Sequence, residues 1–481
     1  MIKFYNTIER KKVDFNPLVN GKISLYTCGP TVYDFAHIGN FRAYIFEDLL
    51  RRTLEFCDYE VFHVMNLTDI DDKTINKANI ESIPLKEFTD KYIQAFHEDV
   101  YRLNIIPAHH YPRATEFIDG MIGMIQTLEK KGYTYTTDDG SVFFKISNYK
   151  DYGKLANLQL EDLVLGERVE NDEYEKEEMR DFALWKSHKK EEGDIFWESP
   201  WGKGRPGWHI ECSVMSTDYL GDHFDIHCGG VDNIFPHHEN EIAQSEVLTG
   251  KTFARYWVHT AFLRIGGNRM GKSEQNFIFV RDALKDHSAE AIRHFLVSAH
   301  YRSPLDYNAT SLSDSDSAIR RLNNCLERIG PYSELADSEV STSDSEITRA
   351  AAEMLTNFEL AMDEDFNTAL AMGEIYKLVG HVNRFLTQEK LIQVDRVALG
   401  IAYQSLIKVC MVLGIYSELE SIPNGNTQLV DQLMELVIDI RNDSRLRKDW
   451  VMADKVRDRL HEVGIELRDT PSGTNWEWRG D

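Results

Sequence analysis

Between residues 23 and 67 the chain runs through an alternating segment, a break, a helical stripe and a second apolar segment. Ile23-Ser-Leu-Tyr-Thr-Cys28 alternates with the period of two that marks a strand. Gly29-Pro30 breaks it. From Phe41 to Leu54, Ile45, Leu49 and Leu50 recur at helical spacing, and Glu60 to Leu67 reads as a second buried strand. Strand, turn, helix, strand is a βαβ unit, and it commits the chain to a parallel sheet of the α/β class. Two further strands are expected: His223–Cys228, which runs into Gly229-Gly230, and Tyr256–Leu263. Open α/β sheets bind ligands beyond the carboxyl ends of their strands, where Cys28, Thr68, His227 and Asp232 fall.

At 481 residues the chain is long for one domain. Residues 126–205 look like an insertion. It contains a hairpin-type turn at Asp138-Asp139-Gly140 before Val142–Ile146, and dense charge from Glu167 to Glu192. After about residue 280 the chain turns helical. Ser333–Ser345 is polar and Ser-rich, as a linker would be, and Ile375, Leu378, Val379, Val382 and Phe385 form a helical core stripe. Pro423-Asn-Gly-Asn426 marks another break. Met452, Val456, Leu460 and Val463 form a last helical stripe. There are no internal repeats.

Hydrophobic content of 42% and charged content of 28% are those of a globular protein. No apolar run reads as long enough to span a membrane, and Met1-Ile-Lys-Phe-Tyr-Asn-Thr7 resembles neither a signal nor a transit peptide, so a cytoplasmic protein is expected. Six cysteines in so long a chain do not make a disulfide framework; thiols or metal ligands are expected instead. A net charge of −25 argues against nucleic acid as a partner unless a local basic stripe serves. One exists, at Arg441, Arg445, Arg447, Lys448, Lys455, Arg457 and Arg459, interleaved with aspartates, although a solvated helix face has the same pattern.

Three groups of residues carry possible chemistry. At His37-Ile-Gly-Asn40 the glycine lets a phosphate approach the backbone, the following helix offers N–H groups, and His37 and Asn40 can donate hydrogen bonds. Four such residues alone are usually an ordinary strand-to-helix turn. Gly266-Gly-Asn-Arg-Met-Gly-Lys-Ser273 is a basic glycine-flanked loop from which Lys272 could reach a polyphosphate, though it lacks the spacing of a phosphate-binding P-loop. Finally, Trp208-His-Ile-Glu-Cys212 and Pro236-His-His-Glu-Asn-Glu241 join Cys28 in offering thiol, imidazole and carboxylate, a zinc-like donor set. Pro236 suits a first helical turn. His237 and Glu241 are one turn apart, but His238 fits almost as well, so spacing does not choose between the histidines. Cys228 and His209 are further candidates, while Cys57, Cys325 and Cys410 read as buried packing.

Together these groups resemble the class I aminoacyl-tRNA synthetases, whose nucleotide motifs are His-Ile-Gly-His and Lys-Met-Ser-Lys-Ser. Long runs in order along the chain resemble more narrowly the cysteinyl-tRNA synthetase family: Tyr26–Tyr33, Asn66–Asp72, Gly204–Ser213, Phe224–Asp232, Phe235–Ser245, Ala361–Thr368 and Asp469–Trp476. The resemblance implies a Rossmann-type parallel-sheet catalytic core (1–125 and 206–275) split by a connective insertion (126–205). A stem-contact helical region (276–332), the linker (333–345), a helical anticodon-binding bundle (346–420) and a small C-terminal tRNA-binding domain (428–481) would follow. It implies one Zn²⁺ on Cys28, Cys212, His237 and Glu241, and ATP with Mg²⁺ against His37, Gly39, Asn40, Arg269, Lys272 and Ser273, with His37 and Lys272 catalytic. Thr68, Trp208, His227 and Asp232 would surround the amino acid. The partners implied are ATP, L-cysteine and tRNA-Cys; a monomer without membrane attachment is expected.

The chain departs from the family pattern at Asn40, Arg269 and Gly271. Asn40 can donate a hydrogen bond but carries no charge, Arg269 keeps charge without lysine geometry, and Gly271 makes the loop more pliable. Two rival functions share part of the pattern. A cysteine–amino-sugar amide ligase should lack the long helical region after the linker, and a silent RNA-binding paralogue would fit the three departures. A zinc hydrolase is disfavoured because His-Glu-x-x-His spacing is missing.

Overall fold

The computed structural model describes residues 2–158, 168–169, 181–271, 275–338, 340–342, 345–388 and 391–416. In the C-terminal part it describes 434, 436–442, 444–445, 447, 449–462, 465–470 and 473–478. Met1–Tyr416 and Ser417–Asp481 form two compact units.

Four parallel strands make the central sheet of the first unit, in the order Ala254–Thr260, Phe224–Gly230, Lys22–Thr27, Glu60–Met65. The pairings are all parallel, as the βαβ pattern predicts, and the first of these strands in sequence, Lys22–Thr27, lies inside the sheet. Its two neighbours are reached by crossovers of very different length, one through the helix Ile38–Phe56 and one through some 160 residues that include the insertion. Such a reversal of strand order opens a crevice at the carboxyl edge. Apolar alternation buries Ile23, Leu25, Val61 and Ile226, and the helix covers them with Phe41, Ile45, Leu49 and Leu50.

The inserted region builds its own sheet, in which Thr134–Thr136 pairs with Val142–Phe144 around Gly140 (φ +91°), the hairpin expected there. Asp181–Ser187 and Gly204–Pro206 extend it. The insertion is tied to the core by Glu239, which is fully buried and accepts backbone N–H bonds from Gly153, Leu155 and Ala156 at 2.8–2.9 Å. Tyr152 adds a hydroxyl bond to Asn240 Oδ1 at 2.5 Å. These contacts anchor the start of the helix Glu239–Thr249.

Helices dominate from Val280 onward, at Ser311–Ile329, Glu346–Asp363, Thr368–Phe385 and Gln393–Leu413. The expected stripe of Ile375, Leu378, Val379 and Val382 is buried, and Phe385 packs at its margin. The expected linker is not a free spacer: Gln404 donates to Ser333 O at 3.3 Å, and Thr342 is buried. One expectation is corrected outright, because Gln393–Leu413 is long and apolar enough by composition to cross a membrane. Most of that apolar surface is buried within the protein, at Val397, Ala398, Leu406, Val409, Cys410 and Leu413, so the helix serves as core.

A buried charge network joins sheet-side and helical parts of this unit. Arg293, fully buried, pairs with Asp48 at 2.6 Å and donates to the carbonyls of Leu103, Asn104 and Leu413. Burial works to raise the Asp48 carboxyl, but Arg293 and Arg52 hold it below its ordinary range.

In the second unit the helix Trp450–Glu462 precedes an antiparallel pair, Ile465–Thr470 with Gly473–Trp478. Among its described side chains Ala453 is buried, Val456 and Leu460 are half-buried and Met452 is exposed, so Met452 falls outside the covered face; Val463 lies outside the described residues. Within the basic stretch Arg457 pairs with Asp454 one turn away, and Lys448 lies outside the described residues.

Arg293→Met should destabilise the first unit by about 3–5 kcal/mol, because it leaves Asp48 buried with one partner lost. The midpoint of denaturant unfolding measures this; an unchanged midpoint contradicts the network's role.

Candidate functional site

The carboxyl ends of the strands, the helix Ile38–Phe56 and the segment 260–271 enclose a cavity of about 1210 Å³. Cys28, His37, Gly39, Asn40, Thr68, Trp208, Cys212, Asp232, His237 and Arg269 all line it. The residues singled out from three distant stretches of sequence thus meet in one place. Lys272 and Ser273 lie outside the described residues.

One wall is the turn at 37–40. His37 caps the helix, its Nδ1 accepting from the Asn40 N–H at 3.2 Å, while Asn40 Oδ1 accepts from the His37 N–H at 3.1 Å. This reciprocal box gives the His37 N–H a partner and adds a second acceptor for the Asn40 N–H, which also reaches His37 O at 2.9 Å. It also has a chemical consequence. An Nδ1 that accepts puts the neutral imidazole's proton on Nε2, so His37 presents a donor, and Asn40 retains its amide N–H₂. Asn40, the departure from the family pattern, is therefore built into the cap. Gly39 is held close: a Cβ there would meet His37 Nδ1 at 2.9 Å and Met270 Sδ at 3.3 Å.

The second basic motif reaches this wall through the backbone. Ile38 N donates to Ile278 O at 2.9 Å and Val280 N to Ala36 O at 3.2 Å, so residues 36–38 and 278–280 run as a short antiparallel ladder. Met270 is buried against the turn. Asn276, which sequence reasoning passed over, donates to Arg269 O at 2.9 Å and accepts from Gly271 N at 3.0 Å. A side-chain amide with one carbonyl and one N–H partner at a loop base was the available signal. Arg269 itself points to Asp232, with 2.6 Å between Nη2 and Oδ2.

The opposite wall holds the soft donors. Cys28 follows the strand Lys22–Thr27, Cys212 lies on the helix Trp208–Leu220, and His237 and Glu241 are one turn apart around the start of the helix Glu239–Thr249. One ligand atom from each lies within 4.8 Å of all the others. His237 Nε2 is 3.1 Å from Glu241 Oε1. Burial favours an uncharged Cys212, but the Cys28 hydrogen bond and the His237 charge bring its thiol down to about 6. Its partner Cys28 is pushed up by that same bond and by burial. Burial likewise opposes the charges on Glu241 and His237. The imidazoles of His227 and His237 nonetheless hold Glu241 at about 2, and Cys212 and Glu241 raise His237 to about 10. Two thiols, an imidazole and a carboxylate at this separation fit a tetrahedral metal ion.

A ring of histidines backs these four. His237 and His209 meet through their Nδ1 atoms at 3.1 Å. Since burial keeps His209 neutral, it accepts from His237 and leaves His237 Nε2 turned to the cluster, the usual orientation of a metal-bound imidazole. His238 Nε2 is 3.2 Å from Cys28 Sγ, and its Nδ1 is 2.8 Å from His259. His227 Nε2 is 3.0 Å from Glu241 Oε2. A second set, Cys28, His227, His238 and Glu241, also lies within 4.8 Å. Its histidines are fully buried and, like Glu241, do not line the cavity, so they form a layer behind Cys28, Cys212 and His237. His227, expected beside the amino acid, is thus behind Glu241. Trp208 stacks on His237 at 4.2 Å, and Thr68 accepts from Asn66 Nδ2 at 3.1 Å. Cys228 is buried in its strand and belongs to neither set.

Comparison with known proteins identifies the family. A family model described as the class I (C) tRNA synthetase catalytic domain matches residues 14–317, and a DALR domain matches 357–417. A cysteine–tRNA ligase of Thermococcus onnurineus is 45% identical over 478 residues, and one of Fusobacterium nucleatum is 44% identical over 481, each alignment covering at least 99% of both chains. Among solved structures, Mycobacterium tuberculosis methionyl-tRNA synthetase with methionyl-adenylate superposes with a TM-score of 0.59 at 16% identity, covering 82% of this chain and 90% of that one. An Agrobacterium radiobacter LeuRS–tRNA–LeuAMS complex gives 0.60 at 12%, covering 83% and 85%. The solved structures share the fold; the sequence relatives, matched along their whole length, place this chain in the cysteine–tRNA ligase family of class I aminoacyl-tRNA synthetases.

Proposed function

We propose that the protein activates L-cysteine with ATP and Mg²⁺ to cysteinyl-adenylate and pyrophosphate, then transfers cysteine to the 3′-terminal ribose of tRNA-Cys in the cytoplasm. The observation that carries this reading is that Cys28, Cys212 and His237 of the thiol–imidazole–carboxylate cluster and the His37–Asn40 turn line one cavity. A molecule whose sulfur sits on the first can present its carboxylate toward a phosphate on the second. Positioning of this kind supplies much of the barrier reduction in such a displacement.

Cys28, Cys212, His237 and Glu241 would hold one zinc ion, which when bound stabilises the substrate sulfur as thiolate. A serine hydroxyl offers a harder, protonated donor and an alanine methyl none. Discrimination by this donor set therefore exceeds the roughly 10–200-fold that an apolar pocket achieves between near-isosteres, and no editing activity is needed. His37 donates through Nε2, and Asn40 through its amide, to phosphate oxygens. Lys272, one residue beyond Gly271, supplies positive charge to the leaving pyrophosphate, with Ser273 beside it. Thr68, Trp208 and Asp232 border the amino acid, with His227 acting through Glu241.

Cysteine-dependent ATP–pyrophosphate exchange is expected, with loss on zinc chelation and recovery on zinc addition, followed by charging of tRNA-Cys. Exchange without charging would point to an amide ligase, and neither activity to a silent paralogue. Lys272→Ala should lower kcat by more than about tenfold with little change in the KM for cysteine; an unchanged kcat removes Lys272 from the mechanism. Metal loading should also depend on pH. Cys28 is raised and His237 stands at about 10, so near neutrality both carry protons that a metal must displace, while Cys212, at about 6, does not. Calorimetry in buffers of different ionisation enthalpy should record about two protons released per zinc, and affinity should fall more steeply below pH 6 as Cys212 also protonates. No proton release contradicts this ligand set.

A further inference from the structure

The cavity contains an ion pair that the proposed chemistry leaves unused. Arg269 opens the second basic motif, yet its guanidinium lies on Asp232, 2.6 Å from Oδ2. Both side chains are about half exposed, at 52% and 42%, and both line the cavity. The geometry is held from each side. Asn276 grips the backbone on either side of Met270, bonding Arg269 O and Gly271 N, and Met270 is buried against Gly39. On the other side Gly230 makes room for the carboxylate, since a Cβ there would stand 2.4 Å from Asp232 Oδ1.

An amino acid whose sulfur is bound at Cys28, Cys212, His237 and Glu241 brings an ammonium group that needs a counter-charge. Two carboxylates line the cavity beside the described residues of that cluster. Both are ion-paired, Asp34 with Lys77 and Asp232 with Arg269, but Asp232 lies two residues before the turn 234–238 that carries His237. Asp232 would then be the carboxylate that meets the ammonium, and it already holds a cation from the nucleotide loop. Two cations drawn to one carboxylate weaken each other's binding.

We propose that Arg269 is a positioning residue that holds Asp232 in the absence of amino acid and yields it to the substrate ammonium. The proposal rests on the reading of the cavity as an amino acid site. Half-exposed pairs of this kind change an equilibrium by about 1.4- to 5-fold, and salt screens them. Linkage makes the effect reciprocal: anything that draws Arg269 away strengthens ammonium binding by the same factor.

The test uses the zinc-loaded full chain without ATP, with three thiols titrated by calorimetry at low and high ionic strength: L-cysteine, cysteamine, which has the ammonium but no carboxylate, and 3-mercaptopropionate, which has no ammonium. Arg269→Gln should tighten cysteine and cysteamine by about two- to fivefold at low salt, with the gain shrinking at high salt, and leave 3-mercaptopropionate unchanged. Arg269→Lys, which keeps the charge, should restore most of the competition. A gain common to all three thiols, or none for cysteamine, overturns the coupling while leaving the amino acid site intact. Cysteamine binding no better than 3-mercaptopropionate in both wild type and Asp232→Asn would instead remove Asp232 as the ammonium site, and the proposal with it.

Discussion

The pairing of the strand Lys22–Thr27 with Phe224–Gly230 is the contact on which everything else is arranged. It joins segments about 200 residues apart and continues past the strand end, where Cys28 N donates to Cys228 O at 3.1 Å. Because the first strand lies inside the sheet, the chain leaves it toward one neighbour through the helix Ile38–Phe56 and returns much later to the other. The carboxyl ends therefore bring Cys28, the 37–40 turn and the 230–238 segment around one crevice. A shift of one residue in this register would turn every strand side chain to the opposite face and scatter the cluster.

Charge is concentrated where burial would ordinarily forbid it. Cys212, His237 and Glu241 are almost completely buried; against that burial, Cys28 and His237 lower Cys212, His227 and His237 lower Glu241, and Cys212 and Glu241 raise His237. Burying one of them alone would cost several kcal/mol, roughly, so the set is viable only as a group. The surrounding histidines help by staying neutral: burial pushes His209 and His238 well down and lowers His259 to about 3. A neutral imidazole can accept on one nitrogen and donate on the other, which is what a supporting layer behind metal ligands must do. The insertion contributes to this stability through Glu239, whose three backbone bonds fasten it to the helix that carries Glu241.

The two nucleotide motifs depend on backbone geometry more than on side-chain identity. The ladder between 36–38 and 278–280 would form with other residues, and the 37–40 cap needs only an acceptor at each end. Asn40 meets this requirement: its Oδ1 accepts from the His37 N–H, which leaves the amide N–H₂ as a separate, uncharged donor. Arg269 is different, because its length and charge take it to Asp232.

The sequence by itself determined the parallel sheet, the helical second half and the residue types of the site. Strand and helix periods are local, and glycine or proline punctuation marks where they stop; the Asp138-Asp139-Gly140 hairpin and the Ile375–Val382 stripe follow from such local patterns. Adjacent histidines were beyond its reach. His237 and His238 are one residue apart and equally buried, yet one meets Glu241 and the other Cys28, because the backbone turns between an extended Phe235 and the helix that follows. The same holds for His227 behind Glu241, for the Arg269–Asp232 pair and for the apolar helix Gln393–Leu413, which is core rather than a membrane span. Each depends on which distant segment lies across from it, and only long-range packing decides that.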